Sequence, residues 1–240
     1  MTEQATEAPI NRVVWPHTHR LVLSHYPPVG LYDDVADPHD WEALAAAQAR
    51  TNPRIYDEIG DLSKVPPDRR LSGPGASWVM GAFTHSSPDR PTRFSDGSFG
   101  LYYAGAALQT ALYEHSFHMG RFYAQSELSP GWMSEVRQLV GTLDADLVDL
   151  RGDGNAALLD PDDYKAAQEF GTRQNEAGQN GIVYPSVRDP GGECIAILFP
   201  DVITPPVQAD HFRYYWNGTH VSYAQQITGD RSTFALRSTA

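Results

Sequence analysis

Arg93, Tyr103 and Glu114 stand ten and eleven residues apart in RFSDGSFGLYYAGAALQTALYEHSFH, the stretch from Arg93 to His118. Its first half is dense in Gly, Ser and Asp, as a loop is, and its second half reads as a strand running into a helix. On that helix Glu114 shares a stripe with Ala107, Thr110, Ala111 and His118, while Leu108, Leu112 and His115 define another. Small neighbours leave room beside the carboxylate. Periodicity alone leaves two readings of Glu114 open, an ordinary solvent-facing glutamate or a carboxylate facing a ligand. A second stretch of similar character is GIVYPSVRDPGGE, Gly181 to Glu193, where a short apolar strand ends in Pro185, Ser186 and Arg188 before a glycine turn. Strand ends and the loops beyond them are where sheet proteins place ligand-binding groups.

The elements that must position these residues are readable in outline. RVVW and HRLVLS read as short strands, and DWEALAAAQART (Asp40 to Thr51) as an Ala-rich helix with Asp40 as its cap. From Asn52 to Gly75 the chain is rich in Pro, Gly and Ser, which predicts a surface excursion before SWVMGAF resumes apolar character. LYYA reads as a strand, followed by a helix from about Ala107 to Phe122 and strands at SEVRQLVGTL and ADLVDL. Asp160-Pro161-Asp162-Asp163 reads as the opening of another helix that Gly178 ends. GIVYPS, ECIAILF, FRYYW and HVSYA supply further strands. Strands and helices do not alternate regularly, so the expected fold class is α+β, a mixed β-sheet core with flanking helices. One domain over residues 1–240 is the simpler organisation, since 41% hydrophobic residues are ample for one core.

Several function classes drop out. A net charge of -12 argues against direct nucleic-acid binding, because 18 basic residues spread along the chain form no cluster, although a small anion held by two or three arginines remains compatible. The start, MTEQATEAPINRVV, has neither the basic nor the apolar region of a signal peptide, and no window approaches eighteen apolar residues, so a soluble, cytoplasmic protein without membrane contact is expected. Cys194 is the single cysteine, lies in ECIAILF and reads as a plain core residue. LVDLRGDGNAA satisfies G-x-G-x-x-A with Gly152, Gly154 and Ala157, but Pro161 interrupts before a helix long enough for a pyrophosphate, so it reads as a glycine turn. Nine histidines include neither HExxH nor a Cys pair, and no metal is expected. No G-x-S-x-G elbow occurs.

RFSDGSFGLYYA with TALYE, together with NGIVYPSVRDPGGECIAILF, resembles the RES-domain family, named for its Arg, Glu and Ser, whose members are toxins of bacterial toxin–antitoxin pairs. The resemblance extends from about His19, through TNPR and VMGAFTH, to YYWNGTHVSY, and is strongest for the longer, ParT-type members. By match to the motif the family arginine falls on Arg93, its tyrosine on Tyr103, its glutamate on Glu114 and its serine on Ser186. The N-terminal region, about residues 1–90, is an extension less general in the family.

That resemblance implies an ADP-ribosyltransferase-like fold and consumption of NAD+ as a substrate by hydrolysis, phosphorolysis or transfer to a protein. The residue chemistry agrees. Nicotinamide leaves a cationic glycoside as a neutral base, so no acid is needed and a single carboxylate, Glu114, beside the developing oxocarbenium ion suffices. The resemblance then has Arg93 grip the pyrophosphate through parallel N–H donors, Tyr103 stack on the nicotinamide ring, Ser186 bond a ribose hydroxyl or orient Glu114, and Arg188 add charge for a phosphate. The implied partner is an antitoxin with a helix-turn-helix DNA-binding part. Two alternatives remain, a nucleosidase or glycosidase acting on another nucleoside and a catalytically silent interaction module.

Overall fold

The structure is a computed structural model and describes residues 8–25, 30–33, 37–52, 54–229 and 232–237. The elements are, in chain order, β1 (Ile10–Leu23), α1 (Gly30–Asp33), α2 (Trp41–Gln48), α3 (Ile55–Ile59), α4 (Ser77–Thr84), β2 (Tyr102–Gly105), α5 (Leu108–Gln125), β3 (Gly131–Asp149), α6 (Lys165–Glu176), β4 (Gly181–Pro185), β5 (Glu193–Ile197), β6 (Val207–Trp216), β7 (Val221–Gln226) and β8 (Thr233–Ala235).

The eight strands form one sheet in the order β1-β2-β5-β4-β3-β6-β7-β8, with β1 also paired to β3. The sheet is mixed because β3 and β4 run parallel while the other neighbours are antiparallel. With its flanking helices this is an α+β fold. The extra pairing closes β1, β2, β5, β4 and β3 into a ring, and β6, β7 and β8 extend from it as a wing. The long strand β3 makes this possible. One of its edges carries β1, and the other carries β6 along its first part and β4 at Val148 and Asp149.

Three buried clusters pack on this frame. Trp41, Ile55, Ile59, Met80 and Phe83 from α2, α3 and α4 meet Tyr102, Val183, Ile195 and Leu143. Leu112, Met119 and Tyr123 of α5 meet Leu21, Val136, Phe212 and Trp216. Ala167 and Phe170 of α6 meet Phe94, Ile182, Tyr184 and Cys194. α5 and α6 therefore cover different parts of the sheet, and the ends of β2 and β4 lie side by side, since Gly105 and Tyr184 both pair with Cys194 of β5. No helix among the described residues is long and apolar enough to cross a membrane.

Several elements differ from expectation. The two strands expected before residue 25 are one, and so are the two between α5 and α6. Pro16 does not end β1 because it falls where the register with β3 shifts, between Trp15 and Thr18. Asp40 makes no side-chain cap for α2. It ends a 3-10 turn capped by Asp37, whose carboxylate accepts from the His39 amide. The stretch from residue 52 to 75 is not a plain surface excursion. It contains α3 and two 3-10 turns and buries Ile55, Ile59, Leu62, Val65 and Arg70, because its prolines shorten helices without removing apolar spacing. α6 starts at Lys165, five residues after the expected cap, because Asp160 spends its carboxylate on the amides of Asp162 and Asp163 in a preceding turn. Gly178, with φ of +69°, does follow its end. The short strand β8 carries no sequence signal of its own.

Candidate functional site

The loop that carries Arg93 is built from its own polar residues. Ser95 donates to the Phe99 carbonyl at 2.6 Å and accepts from the Gly97 amide at 3.0 Å, while Asp96 accepts from Ser98. Gly97 has φ of +95°, and a Cβ there would lie 2.1 Å from the Ser87 carbonyl oxygen, so only glycine fits the crossing. The Tyr103 hydroxyl, arriving from β2, donates to Thr92 Oγ1 at 3.0 Å and accepts from the Phe94 amide at 3.1 Å. It therefore clasps both neighbours of Arg93. Burial pushes its pKa up to about 12, which keeps the phenol a donor. Gly171 of α6 packs directly on this loop, where a Cβ would meet the Phe94 carbonyl oxygen at 1.9 Å.

Glu114 lies on α5 and is half-buried. The Ser186 hydroxyl donates to its Oε1 at 2.6 Å, and the Cys194 thiol approaches the same oxygen at 3.9 Å. Burial first, then the nearby Glu114, raises the Cys194 pKa well above the usual thiol range, so it is a protonated core residue. Ser186 Oγ also accepts from the amides of Arg188 and Asp189, at 3.2 and 2.9 Å. The hydroxyl is thus saturated by one donation and two acceptances. Oε2 of Glu114 takes no hydrogen bond from the described residues.

Arg93 and Arg188 are buried guanidiniums, 7% and 2% exposed. Neither pairs with a carboxylate among the described residues. Each instead lies on an aromatic ring, Arg93 at 4.4 Å from the Tyr164 centroid and Arg188 at 3.5 Å from that of Phe117. Each also donates to one segment of backbone. Arg93 Nη1 reaches the carbonyl of Asp160 at 2.6 Å, with Leu158 at 3.5 Å, and Arg188 Nη2 reaches the carbonyl of Pro161 at 2.6 Å. These carbonyls engage one nitrogen of each guanidinium and do not neutralise its charge, so two buried positive charges lie in the neighbourhood of the Glu114 carboxylate. In a chain with net charge -12, that is a local excess of positive charge.

His118 stands one helical turn beyond Glu114, and its pKa is lowered from 6.5, chiefly by desolvation of the ring and further by Arg188, Arg121 and Arg93, against the pull of Glu114. The buried Tyr184 phenol feels Cys194, Glu114, Tyr103 and Arg93 together, and burial is the main cause of its raised pKa. The five residues singled out in the sequence thus converge, with different roles for their atoms. Glu114 and Ser186 touch, Arg93 and Arg188 share the Leu158–Pro161 segment, and Tyr103 reaches Arg93 through its neighbours. The Tyr103 hydroxyl is fully occupied by the loop. Sequence reasoning missed Phe117 and Tyr164, the rings beneath the arginines. The spacing of Phe117, three residues after Glu114, was the available signal. Gly152 and Gly154 lie in a turn before a single 3-10 turn, Ala156–Leu158, and open no dinucleotide-binding helix. Among the described residues no group of His, Cys, Asp or Glu is arranged to hold a metal ion. A hollow of about 160 Å³ is lined by Tyr113, Phe117, Gly120, Arg121 and His220 but not by Glu114, Ser186, Arg93 or Arg188. Side-chain chemistry, rather than this hollow, locates the site.

The model of the RES domain matches residues 67–217, a span that includes Arg93, Tyr103, Glu114, Ser186 and Arg188. A protein of Sinorhizobium fredii (strain NBRC 101917 / NGR234), described as uncharacterized protein y4oC, is 28% identical over 205 residues, covering 85% of this chain and 84% of its own length. Among solved structures, a chain of the M. tuberculosis MbcT-MbcA toxin-antitoxin complex overlaps 83% of this chain and 86% of its own, with a TM-score of 0.41 and 10% identity.

Proposed function

The chain belongs to the RES domain family, and from that premise we propose that it is the toxin of a toxin–antitoxin pair, with an ADP-ribosyltransferase-like organisation, that cleaves the nicotinamide–ribose bond of NAD+. The observation that carries this reading is the pairing of two buried, carboxylate-free guanidiniums with a serine-held carboxylate. A dinucleotide supplies the complement, a doubly charged pyrophosphate and a cationic glycoside.

On this reading Arg93 and Arg188 hold phosphate oxygens, and Glu114 presents Oε2 to the ribose carbon as positive charge develops there. The C–N bond breaks with its electron pair going to the pyridinium nitrogen, so nicotinamide leaves neutral and needs no acid. Water attack yields ADP-ribose and a proton, inorganic phosphate yields ADP-ribose-1''-phosphate, and a protein nucleophile yields an ADP-ribosylated side chain. Ser186 holds one oxygen of Glu114 still, which lowers the reorganisation required at the moment of bond breaking. The partner on the same reading is an antitoxin that covers the cleft and carries the helix-turn-helix DNA-binding part, with both proteins cytoplasmic.

The test is incubation of the purified protein with NAD+, with and without phosphate, and in parallel with simple nucleosides. Chromatography of released base and the mass of the ribosyl product give the answer. Nicotinamide with ADP-ribose or its 1''-phosphate is expected. Base release from simple nucleosides alone would replace the reading with a nucleosidase, and no release from any substrate with a nucleotide-free binding role.

A further inference from the structure

Glu114 is oriented by Ser186, but Ser186 sits on a loop that contains Pro190, Gly191 and Gly192 and would wander unless it were tied down. The tie is visible. Within the loop the Ser186 amide donates to the Gly192 carbonyl and the Gly192 amide to the Asp189 carbonyl, both at 2.8 Å. Across to α5, the Thr110 hydroxyl donates to Asp189 Oδ2 at 2.7 Å. Thr110 is 1% exposed and stands one helical turn before Glu114. Gly192 is packed against this pair so closely that a Cβ would lie 2.6 Å from Thr110 Oγ1 and 2.7 Å from Asp189 Oδ2.

These contacts form a closed ring. Glu114 accepts from Ser186, Ser186 Oγ accepts from the Asp189 amide, the Asp189 carboxylate accepts from Thr110, and one turn of α5 leads from Thr110 back to Glu114. A ring of this kind fixes the loop and the helix in mutual register, so the donor and the acceptor of the 2.6 Å bond cannot drift independently. We infer that Thr110 and Asp189 are positioning residues that hold the Ser186 hydroxyl on Glu114. The inference rests on the proposed NAD+ cleavage only for its kinetic consequence, not for its structural one.

Thr110→Val keeps the shape and removes the donor, Thr110→Ser keeps the donor, and Asp189→Ala removes the acceptor. Thr110→Val is expected to lower kcat for NAD+ cleavage about tenfold with KM nearly unchanged, and Thr110→Ser to retain most of the activity. In a Ser186→Ala background, Thr110→Val should cost little more, because it acts through the missing hydroxyl. A full, additive loss in that background, or a Thr110→Val protein that is less stable yet has native kcat, overturns the inference. A crystal structure of Thr110→Val or Asp189→Ala tests it independently of turnover. The Ser186–Glu114 separation should exceed hydrogen-bond range, and retention of the native contact in both variants overturns the positioning role even if the parent protein cleaves no NAD+. Absence of cleavage by the parent protein, with the separation lengthened in the variants, sinks the proposed function and leaves the positioning role standing.

Discussion

The Ser186 hydroxyl and Glu114 Oε1 meet at 2.6 Å across 72 residues of chain. The bond joins the end of β4 to the middle of α5, and among the described residues the other carboxylate oxygen has no hydrogen-bond donor. On the proposed function one geometry serves two ends, since the oxygen that is held steadies the one offered to the ribose.

Glu114→Gln preserves an acceptor for Ser186 and removes the charge. NAD+ turnover is expected to fall on the order of a hundredfold or more, with stability within about 0.5 kcal/mol of the parent. Nicotinamide release and urea denaturation measure the two effects, and a near-native rate would remove Glu114 from the chemistry.

Arg93→Lys keeps a charge but loses the planar fork and the stacking on Tyr164. The expected loss in kcat/KM is roughly 30-fold, about 2 kcal/mol of transition-state stabilisation. Unchanged kinetics would make Arg93 a loop anchor rather than a ligand group.

Tyr103→Phe separates two roles of one side chain. The ring remains, but the Phe94 amide and Thr92 lose their partner. An expected destabilisation of about 1–3 kcal/mol, with reduced turnover, follows if the hydroxyl sets the Arg93 loop. Full activity in this variant would assign the importance of Tyr103 to its ring alone.

Gly171→Ala tests the seat of the same loop from the other side. The added methyl meets the Phe94 carbonyl, which must move with Arg93 beside it. A destabilisation of about 1–3 kcal/mol and weaker NAD+ binding are expected, read by thermal denaturation and KM. A neutral substitution would show that α6 is free to shift.

Acid should loosen the protein in two stages. His115 is half-buried, hydrogen-bonded to Tyr214, and has its pKa lowered from 6.5 to about 3, chiefly by desolvation of the ring. The unfolded chain therefore binds more protons than the folded one as pH falls below 6.5, and stability declines from there downwards. Asp149 has its pKa lowered to about 2, mainly by its hydrogen bond to Arg151, and its contribution is present above 3.8 and lost as pH falls toward 2. Urea midpoints from pH 8 to pH 3 should fall in that order, and His115→Asn should flatten the first stage. A midpoint constant between pH 7 and pH 5 would contradict the first stage.

Local features were the legible ones. Arg93, Tyr103 and Glu114 occupy successive loop, strand and helix, so their relation is encoded within 22 residues of continuous sequence. The glycine turn at Gly152 and the core character of Cys194 were legible for the same reason. What depended on distant pairing was not. The residues around Glu114 do not announce Ser186, and the expectation that Ser186 orients Glu114 came with the family motif; the contact itself exists only once β2, β5 and β4 are laid side by side. The partners of Arg93 and Arg188 were hidden more deeply, since they are backbone carbonyls, which every residue possesses and no composition reveals. The ring of five strands was equally silent, because it arises from one continuous β3 that sequence punctuation divided in two.

The carbonyls of Leu158, Asp160 and Pro161 give this site a property that contact distances do not express. On the proposed function an anion arriving at Arg93 and Arg188 adds to guanidiniums that this segment already holds by one nitrogen each, and the remaining N–H groups of both are left to donate to it. The segment then acts as a brace whose ordering is completed at folding rather than at binding, so association is a single step and its observed rate should rise in proportion to NAD+ concentration.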